Sequence, residues 1–466
     1  MSFKYVISRT KRQEVHEKVE QVTSVLESYL DPLVEPLDAY LDKRLVRTFL
    51  QGIRTLIEAR TQAPGLVISE LGAILLSGRE ATAGEKRIHR LLASEKWSDE
   101  LIQVFQWNEA EKRYEELRRE GEQVFVVWDG SVIAKPESQK ADDLCAVKSS
   151  KAARRKKARK GAFNQPGGKP IVVLGYEWTA CVVVGKQGKP SLAMMDFWSR
   201  KGPEATTARE EEERMVAQVA RKWGKTVLHI FDRGYAGGPW LEILWRYQVQ
   251  FLIRWKKGHH FCAENGEEKS LGQIGKQKRS WGHRLIWDER KKEARKTGIV
   301  AVRLRHASYP GEVWVVIVRR GGEPWYLVTN RCVETEEQAW ECYYAYCRRW
   351  QVETVFRYEK SELAIETIRV WKREKRTKLF QMVSLVHSFL LHLLDDEYKE
   401  LVEWILREYC HRTGKKHKEA KVPIYRLRWA LSRFWQEIRP VFSFSGAGRS
   451  SLASNPGSTI RSQNSG

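Results

Sequence analysis

Residues 123–135, QVFVVWDGSVIAK, mark the point where the chain changes period. Val124–Trp128 is an unbroken apolar run, short enough for a buried strand, and it ends in an acid, Asp129, followed by Gly130. An ionised carboxylate is costly inside a core, so an acid placed there stands at a sheet edge or pairs with a cation. Ligands of open α/β sheets collect at such strand ends. Taken alone, an acid after a strand is more often a turn or cap residue.

Downstream the pattern repeats. IVVLGYEWTACVVVG (171–185) and SLAMMDFWS (191–199) read as two further strands, residues 204–223 as a charged helix, TVLHIFDRGYAG (226–237) as a strand ending in Asp232, and FLIRW (251–255) as another strand. The order strand, strand, strand, helix, strand, helix, strand predicts a mixed α/β sheet. From 256 to 335 turn signals alternate with short β-rich runs, IVAVRLRHA, VWVVIVRR and PWYLVTN, which predicts a β-rich insertion. Helical pattern returns at Glu334, continues past Lys360, and resumes over 374–411 and 424–437.

Upstream, residues 1–110 read as helices. Val15, Val19, Val22 and Leu26 recur at three- and four-residue spacing, as do Leu45, Phe49, Ile53, Leu56 and Ile57, with Pro32, Pro36 and Pro64 expected to break the pattern. Residues 85–97 (EKRIHRLLASEKW) form a basic amphipathic segment, suited either to DNA or to a solvated helix face. The expected organisation is an N-terminal helical DNA-binding domain (1–115), the first part of an α/β core (120–255), the β-rich insertion (256–335), a final core helix (336–372), a C-terminal helical region (373–442) and a disordered tail (443–466) rich in Ser and Gly.

The chain has 82 Lys and Arg against 59 acids, a formal charge of +23. Such a balance points to a polyanion, with nucleic acid ahead of an anionic membrane. No run of 18 apolar residues and no apolar signal core occurs, so no membrane partner is expected, and a cytoplasmic, nucleoid-associated location is. KSSKAARRKKARK (148–160) carries eight basic residues in thirteen. Arg154, Arg155, Lys156 and Lys157 at its centre are candidate phosphate contacts. Seven scattered cysteines form no CxxC pair, which suggests neither zinc nor a disulfide framework.

Around residue 350 the sequence AYCRRWQVETVFRYEKSELA sets Tyr346, Arg349, Glu353 and Lys360 at relative positions 0, +3, +7 and +14. On one continuous helix these fall within an arc of about 60°. A charged face of this kind is commonly no more than solvated ion pairs. The chemical alternative is a carboxylate for metal beside cations for phosphates.

The spacing Tyr-x2-Arg-x3-Glu-x6-Lys resembles the signature of bacterial insertion-sequence DDE transposases of the YREK type. DRGYAG at 232–237 resembles that family's second-aspartate motif, VVWDGS at 126–131 its first, and FLIRW the strand that follows. The resemblance implies a ribonuclease-H-like core with a β insertion between Asp232 and Glu353. It implies that Asp129, Asp232 and Glu353 are catalytic and hold two Mg2+ ions, with Mn2+ able to substitute. It implies DNA contacts from Tyr346, Arg349 and Lys360, with Arg254 of FLIRW beside them, and a tryptophan of the insertion that stacks on a flipped base. Trp325 is the candidate for that role and Trp314 its competitor. The implied activity is binding of transposon ends, two-metal cleavage through a hairpin, and joining of 3′ ends to target DNA by a homodimer on double-stranded DNA. The alternatives are a nuclease of the same core that cuts without joining and a non-catalytic DNA-binding regulator. The second would predict loss of a metal ligand.

Overall fold

A computed structural model describes residues 9–149, 171–263, 266–288, 292–411, 414 and 423–438. The basic run's Arg154, Arg155, Lys156 and Lys157 and the Ser/Gly-rich tail lie outside the described residues.

The chain begins with α1 (Arg9–Tyr40), α2 (Lys43–Gln62), α3 (Ile68–Leu75), α4 (Ala81–Ala93) and α5 (Glu100–Arg119). Pro32 and Pro36 do not end α1 but lie within it, contrary to the sequence expectation. Each removes one backbone donor. The helix continues because Leu30, Leu33, Val34 and Leu37 around them are buried, so packing outweighs local propensity. Asp42 caps α2 by accepting from the amides of Arg44 and Leu45, and α2 stops just before Pro64. α3 and α4 touch backbone to backbone: a Cβ on Gly84 would stand 2.1 Å from the Gly72 carbonyl oxygen. On α4, Ile88, Leu91 and Leu92 are buried while Lys86, Arg87, His89 and Arg90 are exposed.

The core follows: β1 (Val124–Ala134), β2 (Cys145–Ser149), β3 (Ile171–Val184), β4 (Ser191–Trp198), α6 (Ala208–Trp223), β5 (Val227–Phe231), α7 (Gly238–Arg246) and β6 (Gln250–Trp255). Its strands run in the order β4-β3-β1-β5-β6, with β3 antiparallel to both neighbours and β1, β5 and β6 mutually parallel. This is the ribonuclease-H-like arrangement within a mixed α/β fold. β2, which sequence reading missed, pairs with the first residues of β3. Alternate residues of β1 serve two apolar layers: Phe125 and Val127 belong to one, Val124, Val126 and Trp128 to the other. The first layer contains the terminal helices, the second α6 and α7.

After β6 come β7 (His260–Cys262), β8 (Glu268–Ser270), α8 (Leu271–Gln277), β9 (Gly282–Asp288), β10 (Glu293–His306), β11 (Tyr309–Arg319) and β12 (Trp325–Thr329). β12 pairs antiparallel with β6, so this β-rich segment extends the core sheet, which has twelve strands among the described residues. The chain closes with α9 (Glu336–Cys347), α10 (Trp350–Ser361), α11 (Arg373–His392), α12 (Lys399–Tyr409) and α13 (Ile424–Glu437). α13 returns to α2, where Arg428 donates to the Leu56 carbonyl and Ser432 to that of Glu58. Helices from both ends of the chain thus share one core with the sheet.

The signature around residue 350 does not occupy one helix. The amides of Arg348 and Arg349 bond three residues back, to Ala345 and Tyr346, and this tightened turn separates α9 from α10. Tyr346 therefore lies on a different axis from Glu353 and Lys360, and the common arc read from spacing does not apply to it.

Candidate active site

Register brings the two aspartates together. β1 and β5 are parallel neighbours with Val127 opposite Ile230. Two residues further on come Asp129, still within β1, and Asp232, the first residue past the end of β5, on neighbours that lie about 4.8 Å apart where they pair. Alternation turns both toward the layer that holds Val127 and Ile230. Each carboxylate folds back onto its own backbone: Asp129 Oδ1, within β1, accepts from the Gly130 amide at 2.9 Å, and Asp232 Oδ1, at the turn after β5, from the Gly234 amide at 2.5 Å. A Cβ on residue 234 would lie 2.8 Å from that Asp232 oxygen, so the tight turn favours glycine.

Glu353 arrives from α10. This helix is seated by Val352, Val355 and Phe356, whose ring lies 4.9 Å from that of Trp178 on β3. Beneath it, buried Glu359 meets His387 Nδ1 of α11 at 2.9 Å. Lys360, two turns beyond Glu353, reaches Ser131 Oγ at 2.7 Å, two residues along β1 from Asp129. Arg349 bridges the acids: one guanidinium nitrogen is 2.5 Å from Glu353 Oε1 and another 3.8 Å from Asp129 Oδ2. Burial, followed by the neighbouring charge of Asp232, pushes the Asp129 carboxyl up to about 7, while Arg349 and the Gly130 amide oppose the rise.

The other expected residues cluster beside this centre. Tyr346 is buried, with its ring 5.7 Å from Trp325. Its hydroxyl is held protonated by burial, and Arg349, Arg254 and Asp232 are the charges that act on it. Trp325 is half-buried, and the guanidinium groups of Arg254 and Arg320 lie 4.7 and 5.0 Å from its ring centre. Trp314 is half-buried on β11 against the core.

Sequence reading passed over Glu212 and Tyr235. Both line a cleft of about 690 Å³ together with Asp129, Gly130, Asp232 and Arg209. Tyr235 Oη donates to Glu212 Oε1 at 2.8 Å. Burial raises the Glu212 carboxyl to about 7, with Asp129 and Asp232 adding to it. The signal was the four-glutamate run 210–213, but only the placement of α6 shows which member turns inward.

The three acids Asp129, Asp232 and Glu353 offer the carboxylate oxygens that a hard divalent cation prefers. Asp129 is held close to neutral by burial and by Asp232, a cost that a bound dication would relieve. Among the described residues the acids are not gathered into a chelating cluster, and Arg349 lies between two of them.

No curated protein matches the sequence. Among solved structures, the piggyBac transposase synaptic complex with hairpin DNA is similar at 10% identity and a TM-score of 0.38, over 89% of this chain and 79% of that one. The transposase DDE domain model matches residues 120–389. That span opens just ahead of β1, ends within α11, takes in more than half of the chain and includes all three acids; the chain belongs to the DDE transposase family.

Proposed function

We propose that this chain is an active DNA transposase of the YREK insertion-sequence type. It binds the inverted ends of its element as a homodimer, cleaves them through a hairpin, and joins the 3′ ends to target DNA. The observation that carries the reading is that Asp129 and Asp232 each stand two residues beyond the registered pair Val127–Ile230 of the adjacent parallel strands β1 and β5, with Glu353 linked to Asp129 through Arg349.

Asp129, Asp232 and Glu353 are the groups that would hold Mg2+ or Mn2+, in keeping with the divalent-metal dependence general to this family. When bound, two such ions supply activation of the attacking oxygen and charge neutralisation at the leaving one. The chain's own residues do the rest. Arg349 neutralises Glu353 and Asp129 in the free protein and transfers to a phosphate beside the scissile bond, which frees both acids. Lys360, held by Ser131, presents a second cation along the same strand. Tyr346 keeps its proton and offers a hydroxyl to the bound strand. Trp325 stacks on a flipped base once Arg254 or Arg320 leaves its face. The exposed cations of α4 and the basic run 148–160 read the element ends, in a cytoplasmic, nucleoid-associated protein.

The test is cleavage and strand transfer on labelled DNA carrying the element's ends, with Mg2+, for wild type, Asp129→Ala and Glu353→Gln. Loss of both steps in both variants, with DNA binding retained, is expected. Wild-type cleavage by either variant overturns the assignment of the site, and full cleavage in excess chelator overturns the metal requirement. Cleavage without joining would reduce the protein to a nuclease.

A further inference from the structure

The glutamates of α6 have separate tasks. Glu210 closes the capping box with Thr207 that starts the helix. Glu211 pairs with Arg214 at 3.0 Å, and Glu213 with Arg246 at 2.5 Å. Glu212 alone of the four turns into the cleft of the aspartates.

There it bonds to the turn that bears Asp232 and faces the strand that bears Asp129. Its Oε1 accepts from the Tyr235 hydroxyl at 2.8 Å, and Tyr235 closes the turn Arg233–Tyr235 that Asp232 caps. The same oxygen lies 3.8 Å from the position a Cβ would take on Gly130, whose amide donates to Asp129. The far end of Tyr235 is equally fixed, with its ring 5.0 Å from Phe231 and 5.2 Å from Trp240. Tyr235 is thus clamped between an aromatic floor and one carboxylate oxygen.

We propose that Glu212 is a positioning residue: through its hydrogen bond with Tyr235 it holds the Asp232 turn in register with Asp129, so that the two carboxylates face one ligand together. The inference rests on the metal-binding reading of Asp129 and Asp232. It concerns the tether and not the charge of Glu212, so two substitutions separate the possibilities. Tyr235→Phe removes the tether and leaves the charge. Glu212→Gln removes the charge and keeps an oxygen able to accept from Tyr235.

The probe is Mn2+, with binding to the full-length chain followed by loss of the free-ion electron paramagnetic resonance signal, alone and with a duplex oligonucleotide. Tyr235→Phe and Glu212→Ala are expected to weaken binding about tenfold or more, as losses of groups that orient metal ligands commonly do. Glu212→Gln is expected to retain most of it. A tenfold loss in Glu212→Gln with none in Tyr235→Phe would make Glu212 an electrostatic or direct ligand and overturn the proposal, as would no change in any of the three. Glu212→Ala read against Glu212→Gln repeats the comparison should Tyr235→Phe fail to fold. Asp232→Asn is the control. If it too binds Mn2+ like wild type, the metal reading fails; if it loses binding while the tether variants do not, only the positioning role fails.

Discussion

Replacing Asp129 with Asn should stabilise the metal-free protein at pH 8. In the fold the Asp129 carboxyl rises from 3.8 to about 7, chiefly through burial and then through Asp232. Between those two values the native state holds a proton that the unfolded chain has released, so stability falls as pH rises through this window. Below about pH 4 both states are protonated and no penalty remains; above about pH 7 the penalty is complete. At about 1.4 kcal/mol for each tenfold change in the protonation constant, the ceiling is about 4 kcal/mol. Asn keeps an oxygen for the Gly130 amide, carries no charge, and fills nearly the same volume. The gain falls short of the ceiling because an amide is still a polar group to bury. With about 2.1 cal/mol/K of unfolding entropy per residue, the ceiling corresponds to a rise in Tm of about 4 °C for a chain of 466 residues. Thermal or urea unfolding in chelator at pH 4 and pH 8 measures it. In saturating Mg2+ the order should narrow or invert, since an ion that binds the native wild type stabilises it by mass action. An Asn variant less stable than wild type at pH 8 in chelator, or a gain equal at both pH values, would refute the electrostatic account of this site.

Three further outcomes follow from the same geometry. Asp232→Asn should lower cleavage at least about a hundredfold while leaving gel-shift affinity for end DNA within a few-fold, because it removes a charge-organising group and no phosphate contact. Lys360→Ala should weaken DNA binding without sequence preference and reduce the slope of log affinity against log salt by about one, as read by fluorescence anisotropy; an unchanged slope would show that Lys360 serves Ser131 alone. Phe356→Ala should cost about 3–5 kcal/mol of stability in denaturant titrations, because the ring is buried against Trp178 under α10; a cost under 1 kcal/mol would mean that α10 is seated by other contacts.

The two aspartates were legible because apolar runs of strand length ended in them, and a carboxylate cannot continue such a run into a core. Periodicity likewise marked the helices, and the β-rich stretch stood out by its alternation. The interior prolines misled because backbone propensity is local, whereas the burial that carries α1 through Pro32 and Pro36 is not. The helix around residue 350 was read as continuous because composition alone does not reveal hydrogen bonds to the third residue back.

What the sequence by itself determined is the inventory: acids that close apolar runs, a late glutamate with neighbouring cations, and a basic chain with helices at both ends; it read Asp129 as the end of its strand, whereas β1 continues to Ala134. Only the tertiary structure decided who meets whom. Parallel pairing of β1 with β5 brought Asp129 close to Asp232, α10 packed over β1 put Arg349 between Asp129 and Glu353, and the pairing of β12 with β6 joined the inserted strands to the core sheet. The physical reason is range. Side-chain periodicity reports the faces of one element, while strand register and helix seating depend on contacts between residues tens to hundreds of positions apart. The same range explains Glu212, one of four adjacent glutamates that are alike in sequence until α6 turns one of them toward Tyr235.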